Sequence, residues 1–397
     1  MTLSKKLKGV KLPTKSNAPV WKGPEVDGIT QSLLGRFLVC RERFRLLVVY
    51  GLKTAEQFQS RMEYGNMWHV CEECLAEGKP WEEPLLNYAR TLAQQYRHQQ
   101  NEVEKWYQVC KVQFPIYVDY WAKHKHTITR EPLAQEMQFK VPYQLPSGRV
   151  VFLRGKWDSV DIVKKKYIYL QENKSKSEID EPALRNQLQF DMQTMMYLVA
   201  LYKLFEYSEE GTTLDTEEML PAAEEWGNVV YPANHVIAGV RYNVICRPLS
   251  GGKGSIRPHK ARGTKNITPA ETMEAFYNRL AGVIRDECFD AKGKPLQTSS
   301  FFARFDCQVS SEDVQRFEQR FLIPILEQLC DWWAFMEECY YLPWNSNQKI
   351  HWQHPYGVYN VLNEGGRSDL DECLMNGSEV GLQRVKNLFP ELNPIGE

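Results

Sequence analysis

The sequence predicts an α/β fold, with a sheet drawn from the middle of the chain and helices before and after it. Three observations carry this. Strand-like runs crowd between Gln135 and Glu172, and two more stand at His235 to Cys246 and Phe301 to Val309. Segments with helical apolar spacing precede them, and helix signals return after each strand group. The chain has 397 residues, 43% hydrophobic and 25% charged, enough for a large core in one elaborated domain or in two or three.

Residues 1–27 are rich in Lys, Pro and Gly without periodicity, and are expected to form a flexible basic arm. From Thr30 to Lys53 the apolar residues Leu33, Leu34, Phe37, Leu38, Phe44, Leu46 and Leu47 alternate with Arg36, Arg41, Arg43 and Arg45, as on an amphipathic helix. That arginine face suits either solvent or a DNA groove. A second helix is expected over Thr54 to Gly78, carrying His69 and the pair Cys71-x-x-Cys74. No companion pair completes a zinc site, so structural zinc is not expected. One or two further helices fill residues 86–126.

The runs EMQFKVPYQL, RVVFLRG, DSVDIV and KYIYLQE then read as a meander of short strands, with turns at Pro146-Ser147-Gly148 and Lys164-Lys165-Lys166. Asp180 can cap a helix, Glu181 and Pro182 suit its first turn, and Ala183 to Phe205 continue it. An acidic loop follows, at about 207–232. After the strand His235 to Cys246 comes a glycine-rich segment with Arg247, Lys253, Arg257, Lys260, Arg262 and Lys265, a candidate for phosphate contacts. Thr268 to Arg285 is expected as helix, Phe301 to Val309 as strand, and Ser311 to Tyr340 as a long helix. The tail from Pro343 is expected to be irregular and to close in a short helix near Leu382 to Phe389.

The net charge of −1 gives no global attraction for polyanions, so contacts to nucleic acid must come from local basic groups. The first residues lack the apolar core of a signal peptide, and no run reaches the roughly 18–20 apolar residues of a membrane span. The expectation is a cytoplasmic protein with no membrane partner. Ten scattered cysteines fit reduced thiols rather than a disulfide scaffold.

One stretch carries chemistry. Glu172-Asn173-Lys174 closes the strand-like run YIYLQ, whereas two similar triplets, Glu77-Gly78-Lys79 and Asp290-Ala291-Lys292, sit at chain breaks. Strand alternation puts Ile168, Leu170, Glu172 and Lys174 on one face. A charged pair on an apolar face is costly unless it is paired or metal-bound. On the preceding strand Asp158 shares a face with Val160 and Ile162, and Asp161 is expected to point to solvent. Two carboxylates on neighbouring strands can hold a hard cation, and Lys174 stands where it can orient or deprotonate water. On the following helix Gln189, Gln193 and Tyr197, spaced by four, form one polar stripe. It suits either a half-buried boundary or hydrogen bonds to the site and to a DNA backbone.

The order Gly155-x-x-Asp158, Glu172-x-Lys174 and Gln193-x-x-x-Tyr197, with His69 upstream, resembles the PD-(D/E)XK nuclease superfamily. More narrowly it is similar to the RecB-type exonuclease branch, which includes nucleases common in phage genomes. The resemblance implies a restriction-endonuclease-like core, a central mixed β-sheet flanked by helices, over residues 28–342. It further implies a helical insertion at about 80–130 and a C-terminal extension, 343–397, packed on the core. It makes Asp158, Glu172 and Lys174 the catalytic set and His69, Asp158, Glu172 and the Asn173 carbonyl the ligands of Mg²⁺ or Mn²⁺. Gln193 and Tyr197 organise the site or touch DNA, with Gln189 and Glu136 as further candidates; Glu136 stands on a strand where relatives often carry an acid. Lys176, Arg247, Lys253, Arg257 and Lys260 become candidates for DNA-backbone contacts.

An iron–sulfur cluster found in some relatives uses an early cysteine and three closely spaced later ones. Here Cys40 is early, but Cys330, Cys339 and Cys373 are spread out, so no cluster is expected. The implied activity is a metal-dependent deoxyribonuclease, an exonuclease acting on DNA with free ends in recombination, replication or phage genome processing, in a bacterium or phage-infected host cell. A structure-specific endonuclease and a DNA-binding scaffold that keeps the fold without catalysis are the alternatives.

Overall fold

The computed structural model describes residues 19–54, 57–124, 130–189, 191–210, 235–248, 255–256, 260–262, 266–268, 270–338, 382–385, 389 and 392. Most of the basic arm, most of the acidic loop, Lys253, Arg257, Cys339, Cys373 and the tail stretch HWQHPYGVYN lie outside these residues.

Strand β1 (Ile29–Thr30) leads into helix α1 (Gln31–Val39), and Thr30 caps it by accepting the Leu33 N–H at 3.3 Å. The single helix expected over Thr30 to Lys53 is broken at extended Cys40. It resumes as α2 (Arg41–Phe44), passes into a π turn (Arg45–Val49) and ends in strand β2 (Leu52–Thr54). On one straight helix Leu46 would sit roughly 220° around from Leu33. The break turns Leu46, Val48 and Val49 back into the core that holds Leu33 and Phe37. The arginines of this segment fold onto rings, Arg36 over Phe389 at 5.1 Å and Arg41 over Phe37 at 4.7 Å.

Helix α3 (Ser60–Ala76) begins later than Thr54, and α4 (Glu82–Gln95) and α5 (Gln100–Lys123) follow. The sheet is built from β3 (Arg130–Gln144), β4 (Val150–Val163), β5 (Tyr167–Lys176), β6 (Val236–Cys246) and β9 (Phe302–Gln308), with β1 as its sixth strand. It is mixed: β3, β4 and β5 run as antiparallel neighbours, β5 and β6 are parallel, and β9 returns antiparallel. The runs RVVFLRG and DSVDIV are one strand rather than two. The parallel step is made by α6 (Glu181–Leu188) and α7 (Met192–Glu210). The single helix expected there is two, because Asp191 starts a second one, its carboxylate accepting the Thr194 N–H at 3.4 Å.

The remaining elements are the ribbon β7 (Lys260–Arg262) with β8 (Asn266–Thr268), helix α8 (Met273–Cys288), and α9 (Ser311–Phe317), which continues through a π turn into α10 (Ile323–Glu338). The short helix expected near Leu382 is instead strand β10 (Leu382–Arg384), antiparallel to β2. Two apolar clusters cover the sheet. One packs α1, α7 and α10 against Leu153, Trp157, Val160 and Leu170; the other packs α3, α4, α5 and α8 against Ile245 and Phe302. Each fully buried Leu or Phe contributes about 1.5–3 kcal/mol.

Alternation along β4 changes phase, since Leu153, Trp157 and Val160 all reach the same cluster. The change falls at Asp158, opposite Glu136, whose φ of 45° lies in the left-handed region. The expectation that Asp161 faces solvent is therefore corrected. Asp161 is 1% exposed and accepts the Ser159 hydroxyl at 2.5 Å, while Gln135 donates to that hydroxyl.

Candidate active site

The motif Gly155-Lys-Trp-Asp158 sits in a fork of the sheet. One edge of β4 pairs with β1 at Leu153–Arg154 and with β5 at Ser159–Val163, and residues 155–158 between them have no ladder partner on that edge. In the gap the Asn173 N–H donates to Asp158 Oδ2 at 2.7 Å. A side chain thus replaces the missing ladder bond and joins the two strands where they part.

Gly155 is required by close packing. A Cβ there would lie 2.7 Å from both Phe139 Cζ and Tyr197 Cε1. The phenol of Tyr197 is hydrogen-bonded to the Lys156 backbone and to Gln193, and burial raises its pKa. The glycine of the first motif therefore makes room for the tyrosine of the third.

Glu172, Lys174 and Gln193 close a triangle. Lys174 Nζ donates to Glu172 Oε2 at 3.0 Å and to Gln193 Oε1 at 2.7 Å, and Gln193 Nε2 donates to Glu172 Oε2 at 3.2 Å. Burial pushes Glu172 up to about 7, with the Asp158 charge adding and Lys174 opposing. For Lys174, burial works against the charge, but Glu172 and Asp158 prevail and hold its pKa above the usual lysine value.

On the other side of Asp158, His69 reaches in from α3. Its Nδ1 is 3.1 Å from Glu136 Oε1 and 3.6 Å from Asp158 Oδ1. Burial alone would lower the His69 pKa, but the charges of Asp158 and Glu136 raise it to about 9. Glu136 is lowered despite burial because His69 and Lys156 face it, with Lys156 Nζ at 2.5 Å. Burial raises the Asp158 pKa, with Glu136 adding and His69 opposing.

The donor set fits a hard divalent ion. Ligand atoms of His69, Glu136 and Asp158 all lie within 4.8 Å of one another, and the buried carboxylate of Glu172 stands beside them. The sequence paired Asp158 with Glu172; the structure adds Glu136 to Asp158, while Glu172 is turned toward Lys174 and Gln193. The side chain of Asn173 accepts Asn243 Nδ2 at 2.8 Å on buried ground shared with Tyr117 and Glu72. Asn243 was not singled out from the sequence, and nothing in the spacing of β6 marks it. Lys156 was also missed, although its place two residues before Asp158 could have flagged it.

Not all candidates gather here. Gln189 is exposed at the break between α6 and α7, outside the stripe of Gln193 and Tyr197. Lys176 ends β5 and donates to Gln187 at 3.3 Å. Arg247 is not on an open loop: it is buried at 7% exposure, its backbone N–H bonded to the Lys176 carbonyl. Lys260 lies in the β7 ribbon.

A family model described as the PD-(D/E)XK nuclease superfamily matches residues 29–297, a span that contains every residue of this cluster. No curated protein matches the chain. Among the described residues, no helix is long and apolar enough to cross a membrane.

Proposed function

The chain belongs to the PD-(D/E)XK nuclease superfamily, and on that footing we propose that it is a Mg²⁺- or Mn²⁺-dependent exonuclease that hydrolyses phosphodiester bonds at DNA ends. The role follows as recombination, replication or phage genome processing. The observation that carries the reading is the convergence of Asp158, Glu136 and His69 beside the Glu172–Lys174–Gln193 triangle, at the fork of the sheet.

Asp158, Glu136 and His69 would hold the ion, with Glu172 as a further ligand once released from its partners. A bound divalent ion supplies charge neutralisation for the scissile phosphate and acidifies a water for attack. Lys174 stands between Glu172 and Gln193, where it can donate to the water or to a phosphate oxygen. Gln193 fixes the Lys174 rotamer through its carbonyl and Glu172 through its amide, so both groups meet the substrate pre-oriented. Asn173 keeps Asp158 in place. Water adds across a P–O bond, and the leaving oxygen departs with a proton.

The test is end-labelled linear duplex against covalently closed circles, each with Mg²⁺ or Mn²⁺. The exonuclease reading requires loss of linear DNA with circles left whole. Cutting of circles would move the reading to an endonuclease, and inactivity on every substrate to a DNA-binding scaffold.

A further inference from the structure

The parallel strands β5 and β6 end side by side, Lys176 opposite Cys246, with Arg247 as the next residue. In sheets with parallel strands, ligands collect outside the carboxyl ends of such neighbours. Arg247 is more than nine-tenths buried there. Its guanidinium has no hydrogen-bond or carboxylate partner among the described residues. Burial lowers its pKa, and the like charge of Arg61 lowers it further. Arg61 is exposed on the first turn of α3 and is likewise without an acid.

Two neighbouring cations with no counter-ion are unfavourable unless an anion joins them. The local backbone favours one. Gln59 provides no side-chain cap to the 17-residue helix α3, and its carbonyl takes the Met62 and Glu63 N–H groups, which leaves those of Ser60 and Arg61 without an acceptor among the described backbone groups. The helix lies close against the strand end, since a Cβ at Gly65 would be 3.8 Å from Ser175 Oγ. In the register of β5 and β6 Val244 stands opposite Lys174, so Arg247 lies three residue rises, ~10 Å, beyond the catalytic lysine along the strands.

We propose that Arg61 and Arg247 form an anion subsite at the carboxyl ends of β5 and β6 that holds a backbone phosphate of the substrate strand next to the scissile one. This rests on the nuclease reading of the adjacent site. The subsite fixes the strand's register before hydrolysis, and Arg247 supplies a donor on a largely buried side chain while Arg61 captures from solvent.

The test uses full-length protein and a short labelled duplex, with binding read by fluorescence anisotropy in Ca²⁺ across a KCl series and cleavage read in Mn²⁺. Arg61→Gln, an exposed change, is expected to weaken binding about tenfold and to reduce the slope of log Kd against log[KCl] by about 0.9. KM should rise with kcat little changed. Arg247→Gln, which also removes one cation, should repeat the effect. Substrates with one neutral methylphosphonate linkage provide the second reading: at one linkage beside the cut, wild type should lose affinity as Arg61→Gln does, and the variant should be indifferent to it. Unchanged affinity and salt slope in both variants, with wild type binding and cleaving normally, would overturn the subsite alone. A wild type that neither binds nor cleaves DNA would overturn the nuclease reading beneath it.

Discussion

The Asn173 amide and the Asp158 carboxylate are joined across the sheet's fork at 2.7 Å, so the group that would ligate a metal is also the group that spans the gap between β4 and β5. Structure and chemistry can be separated at this position. In Asp158→Asn an amide oxygen still accepts the Asn173 N–H, so the melting temperature should stay within a few degrees of wild type. Mn²⁺ affinity should fall at least tenfold by titration calorimetry, and cleavage by about three orders of magnitude. Loss of folding together with activity would show that the carboxylate is structural first.

Gly155→Ala should destabilise by about 1–3 kcal/mol, because the new methyl meets Phe139 and Tyr197 at 2.7 Å and neither ring can withdraw from the core. Activity should fall with it as Tyr197 and Gln193 shift. Gly282→Ala in α8 is the control: nothing lies within 4 Å, and helix propensity favours the change by about 1 kcal/mol. Chemical denaturation of the two variants gives the comparison.

Gln193→Glu replaces the N–H that reaches Glu172 with a second carboxylate oxygen. Repulsion should raise the Glu172 pKa further, and the pH profile of kcat should move to the alkaline side. Gln193→Leu should lower kcat without such a displacement.

In metal-free protein, stability should fall as pH rises from about 5 to 9. Glu172 and His69 have folded-state pKa values near 7 and 9, above their ordinary 4.5 and 6.5. A raised folded pKa stabilises fully below the unfolded value, and that contribution is lost as pH climbs through the folded one. Mg²⁺ or Mn²⁺ binds the deprotonated ligands, so the stabilisation it gives should grow across the same range. Thermal melts in EDTA and in Mn²⁺ at pH 6 and 9 measure both trends; a metal-free protein more stable at pH 9 would contradict the charge arrangement.

The candidate triplet Glu172-Asn173-Lys174 was legible because charge on an apolar strand face is costly, which singles out Glu172 and Lys174. Asp158 was chosen for a reason that does not hold: the strand changes phase there, and Asp161 is as buried as the core around it. A phase change made by a left-handed residue on the partner strand, Glu136, leaves no mark in the alternation of β4 itself. The break after Gln189 was legible in principle, since Asp191 three residues before Thr194 is a capping arrangement. The burial of Arg247 was not, because it depends on where α3 docks, a contact more than 180 residues away in sequence. Asn243 belongs to the same class, its partners coming from α3, α5 and β5.

The most direct test of the account is single-turnover cleavage of a linear duplex by wild type and Glu172→Ala, in Mn²⁺ and in EDTA. A metal-dependent nuclease centre at the fork gives cleavage by wild type in Mn²⁺ only, and little or none by the variant. Cleavage that persists in EDTA, or a folded wild type inert with every divalent metal, would contradict it.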